Sequence, residues 1–543
     1  MSVVVRRSRP DRLSIAHMWV GFALFGVGIL LGLYQLLERN GVLPTSAAGY
    51  YGSATLHGVI QAFVLTTFFI VGFGYFVTAT SLRSPIRWPR LAWIGFVTMF
   101  AGTLTAALTI AAGKATVLYT FYPPMIAHWA FYVGAALLLV GSIPWLVITV
   151  AMTMRWRREN PGRPIPLPQF GMTACAILWA WTLVGVVAEV VFQLLPLALG
   201  LTQTIDMGLA RVLFAWTLHP IVYFWLIPAY VALYTVIPKV AGGYLFSDEM
   251  ARVVFVMLLV FSLPVGLHHI FVDPEQAAGW KLMHAFGTFL VALPTLLTGF
   301  TVAASLETAG RLRGGRGLFG WVRALPWGEP VVLGGILAAL LLLPGGFGGL
   351  INASYAMDTM VHNTMWIPAH FHLIFGGAVV IVYMATAYAL WPKLTGRRLA
   401  SRRMATAQLW LWFLGILTLT VPWHLVGLQG MPRRTAYNPY DPQIVERWSS
   451  YTGVMIVGGV ALTASGLLFL VNLLLVHRSR KPEPDRAMDY AETVDPVVHV
   501  PALLNGFAVW NWLLLVLMLI AFAYPIGQFF FIDVHEALAW GPR

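Results

Sequence analysis

The sequence predicts an all-α protein: a polytopic membrane bundle of about thirteen transmembrane helices, with its N-terminus inside and its C-terminus outside. Three observations predict it. Of the 543 residues, 59% are hydrophobic and only 10% charged, where a soluble domain carries about 25% charged residues. The apolar residues recur along the whole length in runs of roughly 20 to 30, each enough to cross a hydrocarbon core about 30 Å thick. If every run crosses, the short basic loops all fall on one side, as cytoplasmic loops do.

The spans follow in order. The first, 15–37, comes after Arg6, Arg7, Arg9 and Arg12; it is too long for a signal-peptide apolar region and lacks a small-residue cleavage pattern. Span 54–80 contains YGSATLHGVIQAF, and 91–112 follows Arg83, Arg87 and Arg90. Span 125–150 precedes Arg155, Arg157, Arg158 and Arg163; 171–198 contains Glu189; 208–237 contains WTLHPIVYFWLIPAY; and 251–271 ends in GLHHIFVDP. Span 279–306 precedes Arg311, Arg313, Arg316 and Arg323. Spans 330–349 and 358–391 follow, the latter ahead of Lys393, Arg397, Arg398, Arg402 and Arg403. Last come 404–428, 450–476 with Arg478, Arg480 and Lys481 behind it, and 503–530. One membrane domain is expected over 1–543, with a core of 15–476 and an additional C-terminal span 503–530. The net charge of +13 then belongs to the loops rather than to a nucleic-acid surface. The one cysteine, Cys175, excludes a disulfide framework and a Cys-rich metal site. One pair breaks the charge pattern: Arg433 and Arg434 stand together on the outer side.

Fourteen histidines are the chemistry-bearing residues. A single histidine in a membrane helix commonly only hydrogen-bonds to a neighbouring helix, so the argument rests on groups. His219 and Tyr223 are four apart and share a helical face. His268 and His269 are adjacent and point about 100° apart in a regular helix; Pro264 and Gly266 supply the distortion that lets both face one ion. Three imidazoles with an open position suit catalytic copper or zinc. His370 and His372 project to opposite faces of their helix, so each can ligate a cofactor on its own side, and His57 is a candidate partner. A haem held by two histidines suits electron transfer, and one held by a single histidine keeps a position for a small molecule. All six lie in the outer half of the membrane if the spans run as above. His17, His128, His284 and His424 are read as structural.

A stripe of hydroxyls leads inward from the proposed metal site. Tyr223, Tyr230 and Tyr234 fall within about 20° of one face, and Thr295, Thr298 and Thr301 lie in the inner half of the eighth span. They can relay protons through water or simply bond helix to helix. Glu189, an acid well inside the fifth span, is costly there and therefore a functional candidate, with no role assigned by sequence.

In combination and in this order, HPIVY, HH and HFH resemble subunit I of the haem–copper oxidase superfamily, across spans two to eleven. The resemblance implies His57 and His372 as axial ligands of a low-spin haem, of b type, and His370 as the ligand of a high-spin haem, of a type. It implies a copper ion (CuB) on His219, His268 and His269, a covalent cross-link between His219 and Tyr223, and Tyr223 as a catalytic residue. It pairs Arg433 and Arg434 of GMPRR with haem propionates, near His362 and Asp358. It makes Tyr223, Tyr230, Tyr234, Thr295, Thr298 and Thr301 a proton path. The B family is the nearest: Ile221 stands where the A family usually carries glutamate, and the loop SLRSPIRWPR has no acid for a D-type proton inlet. The implied activity is reduction of oxygen to water with proton pumping. The implied partners are a cytochrome c or similar donor, a copper-bearing subunit II and a small extra subunit, in the inner (plasma) membrane of a prokaryote. Nitric oxide reductase shares the six-histidine scaffold but lacks the tyrosine and carries glutamates at a non-haem iron. A histidine-using transporter and a haem-only electron conduit are the remaining alternatives.

Overall fold

The computed structural model describes residues 9–121, 123–437, 440–483, 487–497 and 499–531. Arg6 and Arg7, expected to flank the first span, lie outside the described residues. Among the described residues, 13 helical stretches are long and apolar enough to cross a membrane: Arg12–Arg39, Ala47–Ser81, Pro89–Ala111, Trp129–Glu159, Leu167–Ala198, Met207–Ala241, Asp248–Ile270, Ala278–Leu312, Pro330–Ala353, Trp366–Thr395, Arg402–Leu428, Thr452–Arg478 and Ala508–Phe531. They are numbered below as spans 1 to 13. Among the described residues, β-structure is limited to isolated bridges at Leu245–Thr493, Thr364–Pro432 and Arg397–Pro482. Helices are expected here, because a chain in hydrocarbon must satisfy its own backbone hydrogen bonds.

Spans 2, 6 and 10 form the centre. Their apolar windows are 94%, 89% and 83% buried, against 39% for spans 1, 3, 8 and 13. These three central spans carry four of the six candidate ligands, so burial itself singles out the helices that hold the site. Small residues let outer helices approach closely, as in membrane packing generally. On span 3, a Cβ at Gly102 would meet the Gly134 carbonyl oxygen at 2.5 Å; on span 4, one at Gly141 would meet the Met99 amide at 2.6 Å.

The expected span 358–391 divides in two. Asp358 and His362 sit on and at the end of a separate short helix, Tyr355–Val361, and span 10 begins only at Trp366. The chain leaves the helix because its backbone pairs with the 431–433 loop. The Met365 amide donates to the Met431 carbonyl at 2.8 Å and the Arg433 amide to the Asn363 carbonyl at 2.9 Å. The C-terminal span likewise starts later than 503, since a 3₁₀ turn at Ala502–Leu504 precedes Ala508.

Several central spans are irregular where the candidate ligands lie. Proline has no amide hydrogen and clashes with the preceding turn, so Pro220 splits span 6 into Met207–Leu218 and Pro220–Val231 with His219 at the break. Span 7 is α-helical only over Asp248–Ser262 and resumes as a 3₁₀ turn, Leu267–Ile270, which contains both histidines. Gly266 is needed between them: a Cβ there would lie 2.4 Å from the Ala215 carbonyl oxygen of span 6. π-Turns, frequent at functional sites, occupy Ile60–Leu65 shortly after His57 and His372–Val379 starting at a ligand candidate.

Candidate functional site

The breaks in spans 6 and 7 bring three imidazoles together. His219, His268 and His269 each offer a nitrogen, and these atoms lie within 4.8 Å of one another. Ring centroids are 4.5 Å apart for His219–His268 and 4.2 Å for His268–His269. Nε2 of His219 and Nε2 of His269 are buried without a hydrogen-bond partner. Buried polar atoms normally have partners, so two lone pairs left open side by side fit a metal ion. The third ring is oriented from behind. Thr288 Oγ1 lies 3.1 Å from His268 Nδ1 and gives its own proton to the His284 carbonyl at 2.6 Å. The threonine therefore accepts from Nδ1–H, leaving His268 Nε2 as the ligand atom, a common way to fix a metal-binding tautomer. Tyr223 stands beside this trio, its ring centroid 5.0 Å from that of His219.

Span 10 separates its two histidines as its helical geometry requires. The rings of His372 and His57 are parallel within 9° at a centroid separation of 6.2 Å. That is too far for ring contact, and it leaves room between the facing nitrogens for two metal–nitrogen bonds of about 2 Å each. Each ring donates Nδ1–H to a carbonyl, His57 to Gly28 and His372 to Pro368, both at 2.7 Å. The Nε2 lone pairs are thereby turned toward each other's side. His370 faces the opposite way, against the glycine-rich turn of span 9, where a Cβ at Gly348 would come within 2.7 Å of its Nδ1.

Two cavities of about 260 Å³ each flank span 10. One is lined by His57 and His372; the other by His219, His268, His269, Tyr223 and His370. Tyr119, Ile367, Phe371, Phe375, Arg433 and Arg434 line both. The arginine pair thus caps the wall between the cavities, which accounts for basic residues on the sparsely charged side. Arg434 has φ = 61°, a left-handed backbone unusual for a side-chain-bearing residue, and its carbonyl accepts from Tyr51 Oη at 3.2 Å. Strain of this kind persists where surroundings impose it, and it clusters at functional sites. His362 donates Nδ1–H to Asp358 Oδ2 at 2.7 Å, and both line the second cavity.

The proposed proton path is partly connected. Tyr223, Tyr230 and Thr295 line the second cavity, where the buried Tyr230 hydroxyl makes no hydrogen bond among the described residues. Tyr234 Oη and Thr298 Oγ1 are 2.6 Å apart. Thr301 stands apart from the tyrosines, bonded to the Leu297 carbonyl at 2.7 Å and to Met250 Sδ at 3.1 Å.

Sequence reasoning missed three residues. Arg39, at the end of span 1, lines the first cavity with Arg433 and Arg434 and donates to the Pro432 carbonyl; it is a further basic residue on the sparse side. Thr288 and Phe371 carried no signal, because only the fold shows what they touch. The four histidines read as structural are all bonded within the protein. His17 bonds the Leu13 carbonyl at 2.8 Å, His128 caps span 4, and His424 bonds the Thr420 carbonyl at 2.8 Å. His284 Nδ1 accepts from the Gly266 amide at 3.0 Å and the Leu267 amide at 3.3 Å, while Nε2 donates to the Ala521 carbonyl at 3.1 Å. It fastens the His268–His269 turn to span 13.

A family model described as cytochrome C and quinol oxidase polypeptide I matches residues 12–461. The chain belongs to this family. Among its oxidase relatives, cytochrome c oxidase subunit 1 of Thermus thermophilus is 40% identical over 534 residues, 96% of this chain and 95% of the relative. Cytochrome c oxidase subunit 1 of Thermostichus vulcanus is 27% identical over 492 residues, 85% of this chain and 82% of the relative. A heme-copper terminal oxidase dimer solved by cryo-electron microscopy has a chain that superposes with a TM-score of 0.91 at 38% identity, covering 95% of this chain and 92% of that one.

Proposed function

We propose that the chain is the catalytic subunit of a terminal oxidase that reduces dioxygen to water with four electrons and couples this to proton uptake and pumping. The observation that carries the reading is the meeting, in one cavity, of His370, Tyr223 and three imidazoles with two open Nε2 atoms. Imidazole donors suit copper, and His219, His268 and His269 would hold it. His57 and His372 would hold a haem saturated by two histidines, and His370 one with an open position, of b and a type respectively. When bound, these groups carry the electrons and provide the place where dioxygen is reduced.

The chain's own residues do the rest. The Gly28, Pro368 and Thr288 bonds hold three imidazoles in the ligating tautomer. Arg433 and Arg434, with His362 and Asp358, would bind the propionates, since guanidinium suits carboxylate. Tyr223, which would be linked to His219, holds a proton on its phenolic oxygen beside the proposed copper ligands and would supply it, with an electron, to the chemistry there. Thr295, Tyr230, Thr298 and Tyr234 pass protons to it, with Thr301 below them. The electron donor is a cytochrome c acting through a copper-bearing subunit II, in a complex with a small extra subunit. Ile221 and the acid-free SLRSPIRWPR loop support the B family. The basic loops support an N-terminus on the cytoplasmic face of a prokaryotic plasma membrane, with 1–543 as one domain.

The nitric oxide reductase reading is disfavoured by Tyr223. Among the residues lining the second cavity, the acid is Asp358, already bonded to His362, so no glutamate is at hand for a non-haem iron. Reduced-minus-oxidised and carbon-monoxide difference spectra, with metal analysis of the purified complex, test the assignment. Two haems, one of them binding carbon monoxide, and one copper are expected. Non-haem iron in place of copper would indicate the reductase, and absence of haem would indicate a transporter.

A further inference from the structure

Glu189 is fully buried in span 5, 0% exposed, and neither carboxyl oxygen has a hydrogen-bond partner. No described cation pairs with it. It ends the helix Leu167–Glu189 and opens directly into a π-turn, Val190–Leu194. On that turn Gln193 is also buried, at 7% exposure, with its Oε1 equally unpartnered. Tyr132, from span 4, lies close enough to feel the charge of the carboxyl. Its hydroxyl accepts from the Ala127 amide at 3.1 Å, which leaves its own proton to donate.

Three acceptor atoms four residues apart in span 5, the two Glu189 carboxyl oxygens and Gln193 Oε1, therefore lack donors inside a membrane span where unsatisfied polar groups are strongly disfavoured. Water supplies the missing donors wherever two to four polar partners converge, and π-turns recur at such functional positions. Span 5 packs closely on span 6 next to this position. One turn earlier in span 5, the Val186 amide donates to Thr217 Oγ1 at 2.8 Å, and a Cβ at Gly185 would lie 2.3 Å from the Leu213 carbonyl oxygen. Thr217 is two residues from His219.

We propose that Glu189, Gln193 and Tyr132 form a hydrated site whose ligands are internal water and a proton, and that Glu189 exchanges this proton during turnover. In the exchange one O–H bond forms on a carboxyl oxygen as one breaks on an adjoining protonated water, which is left as neutral water, and the reverse step returns the proton; no electron moves. The tyrosine path has no part in it, and the site lies toward the Ala198 end of span 5. The proposal rests on the oxidase reading, but its test is separable from that reading.

The test is reduced-minus-oxidised infrared difference spectroscopy of the intact complex, in H₂O and D₂O. A carbonyl-stretch feature of a carboxylic acid, shifted in D₂O, is expected in the wild type and lost in Glu189→Gln with haem absorption unchanged. Tyr132→Phe should shift the same feature, because it removes the hydroxyl proposed to bond the site's water. If Glu189→Gln keeps every carboxylic feature, the proposal is overturned. If that variant fails to assemble, Tyr132→Phe decides: an unshifted spectrum overturns the proposal. Missing haem in the wild type would instead overturn the oxidase reading.

Discussion

At the scale of the residue, this site is governed by where a few protons sit. Tyr223 is the side chain that separates oxygen chemistry from its nearest rival, and it stands against His219. Replacing it with Phe removes one oxygen and leaves the ring. The expected result is loss of oxygen consumption with both haem spectra intact; normal consumption would sink the assignment. Thr288 makes a quieter contribution, by accepting from His268 Nδ1–H. Thr288→Val keeps the shape and removes the acceptor, freeing the imidazole to adopt the wrong tautomer. Loss of such a partner typically costs about 10- to 100-fold in metal affinity. Metal analysis should show depleted copper beside normal haem, and full copper would argue that Thr288 orients nothing. The six ligand candidates and Tyr223 were legible in the sequence because motif spacing encodes which faces they share. Thr288 was not, since it lies 20 residues from its partner on another helix and only packing joins them.

At the scale of the element, distortion is what makes ligands of neighbours. His268 and His269 could not meet in a regular helix, and the sequence showed the cause in Pro264 and Gly266. The extent was not visible: the helix ends at Ser262 and the histidines ride on a 3₁₀ turn. Gly266→Ala forces a Cβ to within 2.4 Å of the Ala215 carbonyl oxygen. Backbone cannot yield cheaply there, so the turn must move. The variant should retain the His57–His372 haem spectrum and lose copper, and retention of both would refute the role given to this contact. The loop beyond it carries a pH signal. Asp273 accepts from Arg211 at 2.7 Å, yet burial pushes its carboxyl up to about 6 from 3.8. The folded chain then binds this proton more tightly than the unfolded chain, so stability falls as pH rises from about 4 through about 6. At about 1.4 kcal/mol per pKa unit, the effect is on the order of 2–3 kcal/mol. Asp273→Asn should flatten that stretch of the apparent Tm–pH profile, whatever it does to the absolute Tm. An unchanged slope would assign the pH dependence elsewhere. The same scale holds the clearest misreading of the sequence: 358–391 is apolar enough to be one span, but pairing of Met365 and Arg433 with the facing loop breaks it. Hydropathy does not register a tertiary backbone contact.

At the scale of the molecule, thirteen spans place a chamber near one end of the bundle and a line of hydroxyls running from it. Hydropathy was enough to read the thirteen helices, because lipid allows few alternatives. The connectivity of the hydroxyls was less legible, since a helical stripe shows which residues share a face and not which bonds they choose. Thr298 gives its proton to the Pro294 carbonyl at 2.7 Å, so across the 2.6 Å contact Tyr234 is the donor. To pass a proton onward, Thr298 must release Pro294 and rotate. Thr298→Val abolishes that motion while conserving volume; Thr298→Ser preserves it. If this is the proton route, the valine variant should lose oxygen consumption by about 100-fold, the lower end for a lost proton-transfer group, and the serine variant should remain near wild type. Haem-to-haem electron transfer after carbon-monoxide photolysis needs no proton from this line and should be unchanged in both. Equal losses in valine and serine variants would mean that the threonine acts through packing. Full activity in both would mean that protons reach the chamber by another line.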